Sequence, residues 1–183
     1  MPDLKKLLDL RNKENAKFWI SHLIVLIGTV LGVYLAASAG LQTAVQFELI
    51  KSDRDSYYMR SALLDELGDN MDKVQQWGRE YQSGNARKFI GRPDDFILDT
   101  YVWKTMQDSP GTFEIPSKIL TQVRRYYTNT EINLRKMTGK EPAADQVNTM
   151  LEKTKTMIAE VIPLLKKDLQ QLVDKLEKAG VKL

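Results

Sequence analysis

Among 183 residues there is one histidine, His22. An imidazole within an apolar stretch can ligate haem iron or a chlorophyll magnesium, and an ionisable group there raises the question of function. Trp19 and Lys17 lie about one turn away, however, so a ring that reaches headgroups or water is the favoured reading, and no cofactor is expected. Asp65, Glu66, Asp69 and Asp72 recur at helical steps of three and four, close enough for carboxylates to share a divalent cation. No histidine joins them and no Asp-rich loop with a central glycine is present, so a solvated helix face is favoured and no metal is expected. Arg124, Arg125, Tyr126 and Tyr127 could meet an acidic partner or a lipid headgroup. Tyr127 is in phase with the apolar side of its helix, which leaves Tyr126 for a surface. Trp103, Arg124, Arg125 and Tyr126 form the candidate partner surface. No phosphate loop, G-x-S-x-G or zinc motif occurs, and no second histidine could serve as a base. Paired carboxylates brought together by the fold remain open. No catalytic residue is assigned, and the chain is expected not to be an enzyme.

The elements that would position these residues begin with a span. Phe18 to Leu41 contains no Asp, Glu, Lys or Arg over 24 positions, enough helix at about 1.5 Å per residue to cross roughly 30 Å of hydrocarbon. Gly28, Gly32, Ala36 and Gly40 recur every four residues and stack into a smooth ridge where a second helix backbone can approach. Five basic residues precede the span (Lys5, Lys6, Arg11, Lys13, Lys17) and three follow it over a comparable length (Lys51, Arg54, Arg60). That difference favours a cytoplasmic N-terminus and, in a bacterium, a periplasmic domain in the inner membrane. A secretory signal would open similarly, but the apolar run exceeds a typical signal core and Ala37-Ser38-Ala39 lies within the ridge, so an uncleaved anchor is expected. The net charge of +3, with both signs interspersed, gives no nucleic-acid footprint. The absence of cysteine excludes disulfides and thiolate chemistry.

Around the span the reading is all-α. Residues 1–17 pattern as a basic amphipathic tail, either a short helix at the headgroups or a solvated segment. Past Leu41 an apolar stripe of Val45, Leu49, Tyr57, Leu64, Leu67, Met71, Val74 and Tyr81 continues the helix outward. Gly68 and Gly78 weaken it, and Ser83-Gly84-Asn85 stops it. A short helix near Pro93-Asp94-Asp95 should turn Phe96, Ile97, Tyr101, Val102 and Met106 inward, and Ser109-Pro110-Gly111 reads as a turn. A helix from about Ser117 to Met137 follows, closed by Thr138-Gly139-Lys140. Beyond Pro142, a heptad seam of Val147, Leu151, Thr154, Ile158, Val161, Leu165, Leu169, Leu172 and Leu176 asks for a partner helix, with a kink at Pro163. The expected architecture is one transmembrane helix (18–41) leading into an antiparallel helical bundle (42–183), its last helix packed back along Tyr57 to Tyr81.

The span followed by SYYMRSALLDELGDNMDKVQQW and DTYVWKTMQDSPGTFEIPSKILTQVRRYY resembles a group of uncharacterised single-span bacterial membrane proteins. Its marks are an L-x-E-L segment (Leu63 to Leu67), a tryptophan helix (Trp103), a Ser/Gly turn (Ser109 to Gly111), an apolar-Pro step (Ile115-Pro116) and a Tyr-Tyr pair (Tyr126-Tyr127). The resemblance implies the topology and carries no activity. The expected role is a non-catalytic accessory or scaffolding subunit of a larger membrane complex, touching lipid and either other subunits or its own copies. The alternatives are a homodimerising membrane-anchored sensor and a haem- or chlorophyll-binding subunit using His22.

Overall fold

The computed structural model describes residues 4–83, 98–137 and 143–183, with side-chain surroundings from Asn15 onward, apart from Ala143. The described residues form helices joined by short turns and contain no strand. Helix α1 runs Leu4–Gln82, α2 Tyr101–Gln107, α3 Ser117–Met137, α4 Ala143–Thr156 and α5 Ile162–Lys178; a 3-10 turn occupies Pro110–Glu114 and a π turn Met157–Val161. The expected stop of α1 is met at Ser83, whose N–H bonds Arg79 O and whose hydroxyl bonds Glu80 O. The expected loop at 85–93, the helix start near Pro93, the inward Phe96 and Ile97, and the closure at 138–140 lie outside the described residues.

The chain divides into two compact units, residues 1–49 and 50–183. In the first, side chains from Asn15 to Leu49 are exposed except Ser38, which is partly covered. This is the apolar segment long enough to cross a membrane.

The second unit is a helical bundle built on the far part of α1. Its buried seam there runs Asp53, Ser56, Arg60, Leu63, Leu67, Asn70, Val74 and Trp77, alternating by three and four residues as a heptad seam does, with Glu66, Met71 and Gly78 buried beside it. The stripe read from apolar residues alone was out of phase at its start: Tyr57 and Leu64 are only half-buried, and the true seam opens with three polar residues. The last helices run antiparallel to α1 as expected. Lys175 meets Asp53, Asp168 meets Arg60, and Leu151 lies against Gly78, so the contacts descend one helix as they climb the other. Gly78 is therefore a contact point: an added Cβ would come within 2.6 Å of the Leu151 side chain.

Pro163 does interrupt the ladder, and the accommodation sits one turn earlier. Proline cannot donate to the carbonyl four residues back, and the π turn carries the Ile162 N–H to Met157 O instead. The extra residue in that turn seats Met157 in the core and leaves Ile158 exposed, correcting the expected seam at that position. Val147, Met150, Thr154, Val161, Leu165, Leu169, Leu172 and Leu176 complete the buried face.

Candidate functional site

Two groups of polar side chains in the helical unit are centred on buried residues, Glu66 and Asn70 in one and Asp53, Ser56 and Arg60 in the other, and both are built on α1. The first depends on three residues at spacings of four and three, Glu66, Asn70 and Lys73, which share one face of the helix. Their common target is the segment entering α2. Glu66 Oε2 accepts from the Val102 N–H at 2.6 Å, and Oε1 accepts from the Trp103 N–H at 3.1 Å and from the Tyr127 hydroxyl at 2.7 Å. The first N–H groups of a helix have no intrahelical partner, so this carboxylate caps α2 from a distant part of the chain.

Asn70 completes the grip. Its Oδ1 accepts from the Asp99 N–H at 2.8 Å, and its Nδ2 donates to Asp99 O at 2.6 Å and to Tyr127 Oη at 3.3 Å. Lys73 pairs with the Asp99 carboxylate. The Trp103 and Tyr127 rings stack at 5.7 Å with 13° between planes, closing the group on its apolar side. Burial holds the Tyr127 hydroxyl protonated well above the usual phenol range, and donation to Glu66, with that residue's charge, adds to the effect. Beside this cluster a cleft of about 610 Å³ opens, lined by Trp103, Lys104, Gln107, Arg124 and Tyr127 among others.

The second group lies where α1, the 3-10 turn and α5 meet. Arg60 is 3 % exposed; its Nη1 donates to Asp168 Oδ2 at 2.7 Å, and Nη2 stands 3.9 Å from Glu114 Oε2. Glu114 accepts from Ser56 at 2.6 Å and Ser52 at 2.9 Å. Those hydrogen bonds, Ser56 first, hold its carboxyl below the usual carboxylate range, and the Arg60 and Lys175 charges act in the same direction against a smaller cost of burial. Lys175 bonds Asp53 at 2.7 Å. Arg60 Nε is buried without an acceptor among the described residues.

Of the residues singled out from sequence, Trp103 and Tyr126 are corrected. Tyr126 is 2 % exposed, with its hydroxyl 3.4 Å from Thr154 Oγ1, and burial raises its phenol pKa. Trp103 is buried in the stack, so neither offers a partner surface; Arg124 and Arg125 remain exposed. Tyr101, expected inward, is 81 % exposed, while Met106 is fully buried. The acidic run splits: Asp65, Asp69 and Asp72 face solvent, whereas Glu66 is buried. Among the described residues no set of His, Asp or Glu is grouped to hold a metal. His22 is exposed, with Nδ1 2.8 Å from Phe18 O and its ring 4.0 Å from the Phe18 ring. Gly28, Gly32 and Gly40 have nothing within 4 Å of an added Cβ, and Ala36 is exposed.

The Glu66 and Asn70 grip was not found from sequence. Its only signal was a carboxylate one residue before the buried Leu67, within the L-x-E-L segment. Chemically, Glu66 accepts three internal hydrogen bonds and Tyr127 spends its proton on Glu66, an arrangement that fixes a backbone segment. Comparison of the chain with protein-family models, curated proteins and solved structures finds no match.

Proposed function

We propose that this protein is a non-catalytic accessory or scaffolding subunit of a bacterial membrane complex. Phe18 to Leu41 would cross the inner membrane, with the N-terminus in the cytoplasm and the helical unit in the periplasm. The observation that carries the reading is the ridge of Gly28, Gly32, Ala36 and Gly40, a face with open space over its glycines where another helix backbone can lie. The three internal hydrogen bonds accepted by the buried Glu66 support a structural role for that carboxylate. The C-terminal seam no longer argues for a partner, because α1 of the same chain covers it.

Gly32→Leu tests the proposal, since an added Cβ there has nothing within 4 Å among its described neighbours. On a native gel of mild-detergent extracts the variant should leave the complex and run alone. Unchanged co-migration would sink the proposal. Cross-linking in membranes separates the remaining readings: contacts only between copies of this chain would replace the scaffold with a homodimerising sensor.

A further inference from the structure

The main hydrophobic core takes in α5 only as far as Leu165. Leu169, Leu172 and Leu176 are buried outside that core, and the α1 seam at their level is Asp53, Ser56 and Arg60. The pairs Lys175–Asp53 and Asp168–Arg60 fix the register of the two antiparallel helices. Leu172, midway between Asp168 and Lys175, therefore falls level with Ser56, midway between Arg60 and Asp53. Burying the leucines is favourable, but the same closure takes two ion pairs and a hydroxyl out of water, and attraction across a buried ion pair offsets little more than the desolvation it requires. The cost is visible at Arg60, whose Nε is buried with no acceptor among the described residues. Closure along this stretch is thus more weakly driven than along the apolar stretch from Leu63 to Trp77.

The two ends of α5 suit it to move as one piece. Its C-terminus is closed by a Schellman arrangement: Gly180 takes φ 81°, its N–H reaches Glu177 O at 2.9 Å, and the Val181 N–H reaches Leu176 O at 3.0 Å. The last turn is held against fraying. At the other end α5 follows the π turn at Met157–Val161 and carries Pro163, so the regular ladder of hydrogen bonds is already interrupted there. A capped rod beyond an interrupted turn, held to α1 across a polar seam, has the parts of a hinged latch.

We infer that α5 is such a latch: it swings about the π turn and Pro163 and leaves α1 as one piece while the core shared by α1, α3 and α4 stays folded. Opening uncovers Leu169, Leu172 and Leu176 on one side and Asp53, Ser56 and Arg60 on the other. All of these residues belong to the unit 50–183, so the inference is independent of whether residues 18–41 cross a membrane.

The chain contains no cysteine, so single thiols report on covered positions in the full-length protein in detergent. The near-isosteric Ser56→Cys and Leu172→Cys lie on the two sides of the seam, and Val123→Cys marks the core at α3. Modification by N-ethylmaleimide is followed by mass spectrometry as urea is raised below the unfolding transition. Thiols at 56 and 172 should react at least about tenfold faster than the thiol at 123, with a shallow urea dependence because little surface opens, while 123 shows the steep dependence of whole-unit unfolding. Lys175→Glu should accelerate reaction at 56 and 172 about fivefold, and adding Asp53→Lys should reverse the acceleration. Equal urea slopes at all three positions would mean that α5 opens only with the whole unit and would overturn the latch. A fast, shallow reaction at 172 with 56 behaving like 123 would reduce the motion to fraying of the helix end, which also overturns it. Indifference of both thiols to Lys175→Glu would overturn the charge-held contact on which the latch depends.

Discussion

The two halves of the α1 seam solve the same packing problem with different chemistry. From Leu63 to Trp77 the buried positions are mostly apolar, and the polar ones, Glu66 and Asn70, hold a neighbouring backbone and the Tyr127 hydroxyl. From Asp53 to Arg60 they are all polar or charged, and the contacts run side chain to side chain against Asp168, Lys175 and Glu114. Backbone targets cannot move away, whereas side-chain partners carry rotamer entropy and desolvation costs that attraction only partly offsets. The apolar half supplies stability through burial. The charged half contributes chiefly selectivity, because a one-step slip of α5 would leave Arg60 or Asp168 buried and unpaired.

Removing the directed grip should break the difference most visibly. Glu66→Leu leaves two backbone N–H groups and the Tyr127 hydroxyl buried without an acceptor, at about 1–3 kcal/mol each, so denaturant unfolding in detergent should show a loss of about 3–5 kcal/mol. A loss under about 1 kcal/mol would mean that water serves this segment as well as Glu66 does. In the charged half the expected pattern is non-additive. Arg60→Met alone strands Asp168 and should cost about 3 kcal/mol, while Arg60→Met with Asp168→Leu should recover wild-type stability or exceed it. Additive losses in that cycle would make the pair a net source of stability.

Titration separates the halves in opposite directions. Glu114 has a depressed carboxyl pKa in the fold, so its contribution is present above its ordinary value of 4.5 and is lost as pH falls below it. The protection of the 111–115 amides against exchange, taken relative to the intrinsic rate at each pH, should therefore fall on acidification, and less so in Ser56→Ala. Tyr127 has a raised phenol pKa, so its contribution is complete below about pH 10 and is lost as the unfolded chain ionises above it. Alkali should weaken the apolar half first, and Tyr127→Phe should remove that sensitivity. The smallest effect is expected at Gly78→Ala, where about 1 kcal/mol of helix propensity is set against displacement of the Leu151 side chain. A change beyond about 1 kcal/mol in thermal or denaturant unfolding would show that the α1 and α4 backbones, rather than one flexible side chain, set the spacing.

What could be read in advance follows the same division. The α3 bounds came out at Ser117 and Met137 because Pro116 and a clean apolar period mark them. The antiparallel return of the C-terminal helices was legible from Leu165, Leu169, Leu172 and Leu176. Hydrophobic periodicity could not register Asp53, Ser56 and Arg60, since it counts a buried charge as a surface one. Glu66 was hidden by its acidic neighbours, and Tyr126 by the general habit of tyrosine pairs to divide between core and surface. Gly78 read as a weak point because propensity sees the helix and not Leu151 opposite it.

The π turn at Met157–Val161 has a consequence for chain length. Along α1 the seam from Asp53 to Trp77 takes seven steps over 24 residues, about 3.4 per step, while from Val147 to Leu176 eight steps take 29, about 3.6. Two helices lying side by side must share one repeat, and the wide turn absorbs the single surplus residue of the longer count. Residues 157–161 thus hold the fold's spare position. Losing one residue there would restore an ordinary turn with both flanking faces still aimed at α1. The same deletion at Lys153 or Lys167 would swing everything beyond it by about 100° and carry Leu172 and Leu176 into water.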